Sequence, residues 1–237
     1  MITYRTEPKP AERKAWRSAV LPAIWILTAL ASLLPVTMVL DGAIPIFTLL
    51  FLIVPLVALL RSCDAGKLGI RAIPWSTFLK YMLLSLAASL ALMAVFEPWS
   101  NTYRILLDKA ISSSHPDITF GWLVRYEGIS GWAGFVLYAG LVSLFAEELF
   151  FRGWLLQRLQ NRMSQGKAIL WQAFLFTLPQ LLAAFLLQPM QGLLYAVVYS
   201  WLAIGLIGGW AAIRTQSIWP SWVSALLYNL IMSILVT

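Results

Sequence analysis

Seven apolar stretches of roughly 18–22 residues dominate this sequence, each about as long as the hydrocarbon core of a bilayer requires of a helix. They fall at about 19–40, 43–60, 76–96, 131 into a glutamate-containing stretch, 167–187, 193–213 and 218–236. Backbone groups in lipid must be satisfied within their own segment, so runs of this length predict helices. The predicted fold class is an all-α polytopic membrane protein with about seven transmembrane helices. Only 11% of the 237 residues are charged and 60% are hydrophobic, whereas soluble domains carry about a quarter charged residues. The first run lacks a small-residue cleavage pattern and is long enough to span, which predicts a retained helix. Prolines divide the pattern: Glu97-Pro98 is expected to close the third span and Pro179 to interrupt the fifth. Gln188-Pro189-Met190-Gln191-Gly192 is expected to turn the chain before the sixth.

Placing alternate connections on opposite sides puts fourteen of the seventeen Lys and Arg residues on one side; Arg104, Lys109 and Arg125 lie on the other. The positive-inside rule then predicts a cytoplasmic N-terminus and an external C-terminus. The net charge of +7 is scattered among short loops, which excludes a nucleic-acid surface and suits anionic lipid. The longest connection, 97–130, holds Tyr103-Arg104-Ile105-Leu106-Leu107-Asp108-Lys109-Ala110-Ile111, which reads as an amphipathic helix on the external membrane surface. Glu97 is expected to be a solvated group there, and His115 a turn residue. The single cysteine, Cys63, rules out an intrachain disulfide. Gly205 and Gly209, four apart, predict close helix packing.

The fourth apolar run ends in Ala146-Glu147-Glu148-Leu149-Phe150-Phe151-Arg152-Gly153-Trp154, expected at the cytoplasmic end of its span. Carboxylates at membrane depth are costly and tend to mark function. On a helix Glu148 and Arg152 are i, i+4 and can pair, while Glu147 is rotated by about 100°. Two readings stay open on residue types alone. Glu147 is a general base facing the bundle interior, or Glu148–Arg152 is a helix-end ion pair and Glu147 merely interfacial.

These residues resemble the EExxxR motif of the CAAX-protease and bacteriocin-processing family of intramembrane proteases (CPBP, or Abi). Phe176-Thr177-Leu178-Pro179-Gln180 sits where that family's FxxxH motif belongs. Ala225-Leu226-Leu227-Tyr228-Asn229 sits where HxxxN belongs, after the similar Ile218-Trp219-Pro220-Ser221. The resemblance covers about 131–237. It implies Glu147 as the base, Glu148 with Arg152 as a structural pair, and Asn229 as an oxyanion donor. Gln180 and Ala225 stand in place of the two histidines, and an amide cannot shuttle a proton near neutral pH. Zinc prefers His or Cys ligands, so neither a metal nor any cofactor is expected.

The expected organisation is one integral membrane unit, with spans 1–3 and the external loop in 1–130 and the family core in 131–237. The leading functional expectation is a degenerate, proteolytically inactive family member in the cytoplasmic (inner) membrane. It would act as a scaffold or regulatory subunit, with Glu147, Glu148, Arg152, Gln180 and Asn229 as a polar core. Its expected partners are the bilayer and a membrane protein or a transmembrane or lipidated peptide, in a hetero-complex. The rival is an active glutamic-type endopeptidase using Glu147; a transporter ranks third, because the charges do not line a path.

Overall fold

A computed structural model describes residues 46–62, 65–105, 144–185 and 187–236. All regular structure among these residues is helical. The expected span at 19–40, most of the 97–130 connection, Cys63 and His115 lie outside the described residues. Helix α1 is Ile46–Ser62, followed by a 3-10 turn at Ala65–Leu68, and α2 is Trp75–Ser100. Helix α3 runs without a break through Phe145–Glu148, Leu149–Leu155 and Leu156–Gln160, the middle piece in the wider π geometry. Helix α4 is Gln165–Phe185. Helix α5 passes through Pro189–Leu194, a π stretch Tyr195–Leu206, and Ile207–Thr215; α6 is Trp219–Val236.

Three expected boundaries move. Helix α2 continues past Pro98 and ends where Asn101 takes a left-handed conformation, φ 49°, its N–H donating to the Glu97 carbonyl. A proline close to a helix end removes only one bond, so the helix passes through it. Helix α4 likewise runs through Pro179. Pro189 opens α5 at its first turn, where its missing N–H costs nothing, so the turn is confined to the residues before it.

Burial is inverted relative to a water-soluble protein. Leu60, Leu83, Leu84, Val95, Leu170, Phe174, Leu193 and Leu235 are exposed, while Ser85, Ser89, Gln172, Thr177, Ser200 and Ser224 are buried. Exposed apolar faces of this extent suit lipid, with small and polar residues between the helices. Helices α2 and α5, of 26 and 27 residues, are long and apolar enough to cross a membrane. Exposed Trp75 and Trp99 sit at opposite ends of α2, about 36 Å apart along the axis, as interfacial aromatics do.

Helix α3 lies at the centre: all seven residues from Leu149 to Leu155 are buried. Phe51 of α1 meets Phe150 and Phe151 at 5.0 Å, and Phe176 of α4 meets Phe151 at 5.2 Å. Helix α5 packs along α4 and also meets α2, which in turn packs along α6. Glycines set the approach of α4 to α5. A Cβ on Gly205 would lie 3.0 Å from the Ala173 Cβ, one on Gly209 2.5 Å from Gln172 Oε1, and one on Gly192 2.6 Å from the Ala184 carbonyl oxygen. The Gly205/Gly209 pair therefore does pack within the bundle. On the side where α3 ends, Gly153 backs onto the Leu68 carbonyl, and the Ile218 N–H donates to the Gly69 carbonyl at 3.0 Å. The loop before α2 is thereby tied to both α3 and the start of α6.

Candidate functional site

The charged core is built on one turn of α3. Glu148 Oε1 lies 3.1 Å from Arg152 Nη1, the i, i+4 pairing expected from the sequence. It is an ion-pair contact rather than an aligned hydrogen bond, since Nη1 and Nε find no acceptor of good geometry. Arg152 is 0% exposed and Glu148 2%, so neither charge has bulk water to solvate it. Other helices supply the remaining partners. Ser221 Oγ on α6 donates to Glu148 Oε2 at 2.6 Å, and Arg152 Nη2 donates to the Ile204 carbonyl on α5 at 2.8 Å. The guanidinium lies 4.2 Å from the ring centroid of Phe176 on α4. Gly208 leaves room for it, since a Cβ there would sit 3.1 Å from Nη2. One carboxylate and one guanidinium thus clamp α3, α4, α5 and α6 together.

Glu147 and Glu148 lie twelve or more residues before α3 ends at Gln160, roughly 18 Å along the axis. The glutamates sit within the helix and not at its end, because α3 stays buried and helical through Leu156 and Leu159.

Glu147 faces elsewhere. It is half-buried and makes no hydrogen bond to any described residue; Arg152, Glu148 and Tyr195 are the charged or ionisable groups within electrostatic reach. Tyr195, the first residue of the π stretch of α5, donates its hydroxyl proton to Gln180 Oε1 at 3.2 Å. The contact follows from the close approach at Gly192, three residues earlier on α5, to Ala184, four residues beyond Gln180 on α4. Gln180 on α4 is thus tied to Tyr195 on α5. Asn229 Nδ2 donates to the Ala225 carbonyl of its own helix at 2.8 Å, and both residues are buried. Of the five expected site residues, Glu148 and Arg152 form the clamp, Gln180 bonds Tyr195, Asn229 lies on α6, and Glu147 stands next to the clamp on α3.

A second polar cluster corrects the expectation for Glu97. It is half-buried, and its carboxylate accepts the backbone N–H groups of Tyr103 and Arg104 at 3.1 Å and the hydroxyl of Tyr199. Tyr199 also contacts the Ser100 hydroxyl at 3.3 Å. Residues 102–105 turn back as one helical turn, and Glu97 caps it. Tyr199 stacks against Tyr103 and Tyr195, with ring centroids 6.5 and 6.2 Å apart. Tyr228 lies near them, and its buried hydroxyl has no hydrogen-bond partner among the described residues. Of the functional neighbours, Ser221, Ile204 and Tyr195 carried no assigned role from sequence. Tyrosines 195 and 199, four apart in an otherwise apolar span, were the available signal.

An all-helical bundle with lipid-type burial and a charged pair sealed at its centre defines a helical membrane protein. Residues 129–231 match the family model described as type II CAAX prenyl endopeptidase Rce1-like. No curated protein and no solved structure matches the chain. The matched region is the one that carries the motifs resembling the CAAX-protease family.

Proposed function

We propose that this protein is a seven-span member of the family in the cytoplasmic membrane, N-terminus inside and C-terminus outside, that binds a membrane partner without cleaving it. The observation that supports this most is the surroundings of Glu147. Water attacking an amide needs a base, a group to carry the proton onward and donors for the oxyanion. Among the described residues, the ionisable groups within reach of Glu147 are Arg152 and Glu148, engaged with each other, and Tyr195. None of them is an imidazole, the group that accepts and returns a proton near neutral pH. Position 225, where the motif would carry a second histidine, is a buried alanine, and Asn229 directs its Nδ2 to its own helix. The scaffold role follows from what is kept: a rigid charged clamp and a carboxylate left open beside it. The partner class is a transmembrane or lipidated peptide segment, held in a hetero-complex.

The test is co-reconstitution with single-span and prenylated reporter peptides, comparing wild type with Glu147→Ala. No cleavage above background by either protein is the expected result. Cleavage by wild type that Glu147→Ala abolishes would make the protein an active glutamic-type endopeptidase. A mild-detergent pull-down complements it: a stoichiometric partner supports the hetero-complex, and a lone monomer or homodimer counts against it.

A further inference from the structure

The end of the bundle where α2 begins and α5 stops carries cations that the charged core does not use. The only acids among the described residues are Glu97, Glu147 and Glu148. Glu97 lies 17 residues beyond Lys80 along α2, roughly 25 Å, and Glu148 is engaged with Arg152. Lys80 and Arg214 are exposed and have no carboxylate partner among the described residues. Two contacts fix the antiparallel register of α2 on α5. Tyr81 meets Trp210 with ring centroids 5.3 Å apart, and Ser89 Oγ donates to the Ala203 carbonyl at 2.6 Å. Arg214, one turn beyond Trp210 on the same face, is therefore level with Thr77, about 5 Å along the axis from Lys80. Lys80 Nζ lies 5.7 Å from the Tyr81 ring centroid, so it bends toward the aromatic pair. Exposed Trp75, stacked on Phe78 at 4.9 Å, marks the interface just before Lys80 on the same helix. Arg71 joins this end, because its carbonyl accepts from Ser217 Oγ at 3.0 Å and its Nε donates to the Gly66 carbonyl at 3.1 Å. Its exposed side chain is thereby tied to the segment just past Arg214.

We propose that Lys80 and Arg214, with Arg71 beside them, form a headgroup site for an anionic phospholipid on the seam between α2 and α5. Tyr81 and Trp210 make its aromatic floor. The depth suits a lipid phosphate, since a lysine stem runs along apolar surface while its ammonium reaches toward the interface. A phosphodiester offers unshared oxygens that accept from an ammonium and a guanidinium together. An acyl chain hanging from that phosphate has a path to follow: Leu84, one turn beyond Lys80 on the same face, is 47% exposed, and Leu83 beside it 54%. A zwitterionic headgroup brings the same phosphate together with a choline cation, which these side chains repel. A soluble phosphate meets the same charges but gains nothing from the apolar face below them. The site does not depend on whether the protein cuts a peptide.

The full-length chain in a nonionic detergent is given phosphatidylglycerol bearing a pyrene on its acyl chain, and energy transfer from tryptophan reads binding. Unlabelled phosphatidylglycerol, phosphatidylcholine and glycerol phosphate then compete for the site. One Lys or Arg near an anionic headgroup is worth about fivefold in affinity. Wild type should therefore release the tracer to phosphatidylglycerol about tenfold or more readily than to phosphatidylcholine, and should ignore glycerol phosphate at the same concentration. Lys80→Gln and Arg214→Gln should each weaken tracer binding about fivefold, whereas Lys80→Arg keeps the charge and should hold the wild-type affinity. Lys167→Gln removes an equally exposed charge from the start of α4 and should change it by less than about twofold. Equal competition by the two lipids, or displacement by glycerol phosphate, overturns the lipid site whether or not any variant folds. A loss in Lys167→Gln as large as in Lys80→Gln also overturns it, since only a diffuse attraction of the basic end would then remain.

Discussion

Replacing Arg152 by methionine tests the centre of the fold. The side chain is 0% exposed, and three contacts end on its guanidinium: Glu148 at 3.1 Å, the Ile204 carbonyl at 2.8 Å and the Phe176 ring at 4.2 Å. Methionine fills most of the volume, so the loss is electrostatic. Removing one member of a buried ion pair costs about 3–5 kcal/mol, because the other is left as an uncompensated charge. The hydrogen bond and the ring contact fall within that figure rather than adding to it. By soluble-domain scaling a chain of this size loses about 2–4 °C per kcal/mol, so the melting temperature should drop by roughly 10 °C. Tryptophan fluorescence in mild detergent reads the transition. The double variant Glu148→Leu with Arg152→Met discards both charges and should melt higher than Arg152→Met alone. An Arg152→Met protein within about 2 °C of wild type, or a double variant as unstable as the sum of the two singles, would refute the clamp.

Three further substitutions probe the helix contacts and a control site. Gly192→Ala places a methyl 2.6 Å from the Ala184 carbonyl oxygen, a backbone atom that cannot swing away, so overpacking should cost about 1–3 kcal/mol. Gly166→Ala meets nothing within 4 Å and should be neutral or stabilising by up to about 1 kcal/mol; thermal melts of the pair in one detergent compare them directly. Ser221→Ala removes the 2.6 Å donor to Glu148 and should cost about 1.5–3 kcal/mol, a loss that Ser221→Thr should partly restore in the same melts.

Much of this was legible in the sequence, for identifiable reasons. The Glu148–Arg152 pair needs only helical periodicity, and the Gly205/Gly209 contact needs only the rule that small residues let helices approach. Three short stretches carry the resemblance to the family whose model matches 129–231. What escaped depends on tertiary register. Ser221 reaches Glu148 across 73 positions of sequence and the Ile204 carbonyl reaches Arg152 across 52. Both Arg152 and Ile204 lie in π stretches, where counting by 3.6 residues per turn mislocates faces. An acid beside a proline at the end of an apolar run has the sequence pattern of a solvated loop residue, and Glu97 departs from it. Its partners, Tyr199 and two backbone N–H groups, come from the fold and not from its neighbours along the chain.

The ion pair also bears on how such a chain enters a bilayer as it is made. On the seven-span reading proposed above, inserting α3 alone places two carboxylates and a guanidinium in the hydrocarbon, each costing about 2.5–3.5 kcal/mol at mid-membrane on insertion scales. Glu148 and Arg152 share one helix, so they can neutralise each other before any later segment has been synthesised. The acceptor at Ile204 and the donor at Ser221 lie further along the chain and arrive only with α5 and α6. The pair is thus half complete when it first meets lipid and is finished by the last two helices. A nascent chain arrested before Ile204 should therefore hold its charges loosely and be a better substrate for membrane quality control than one arrested after Ser221.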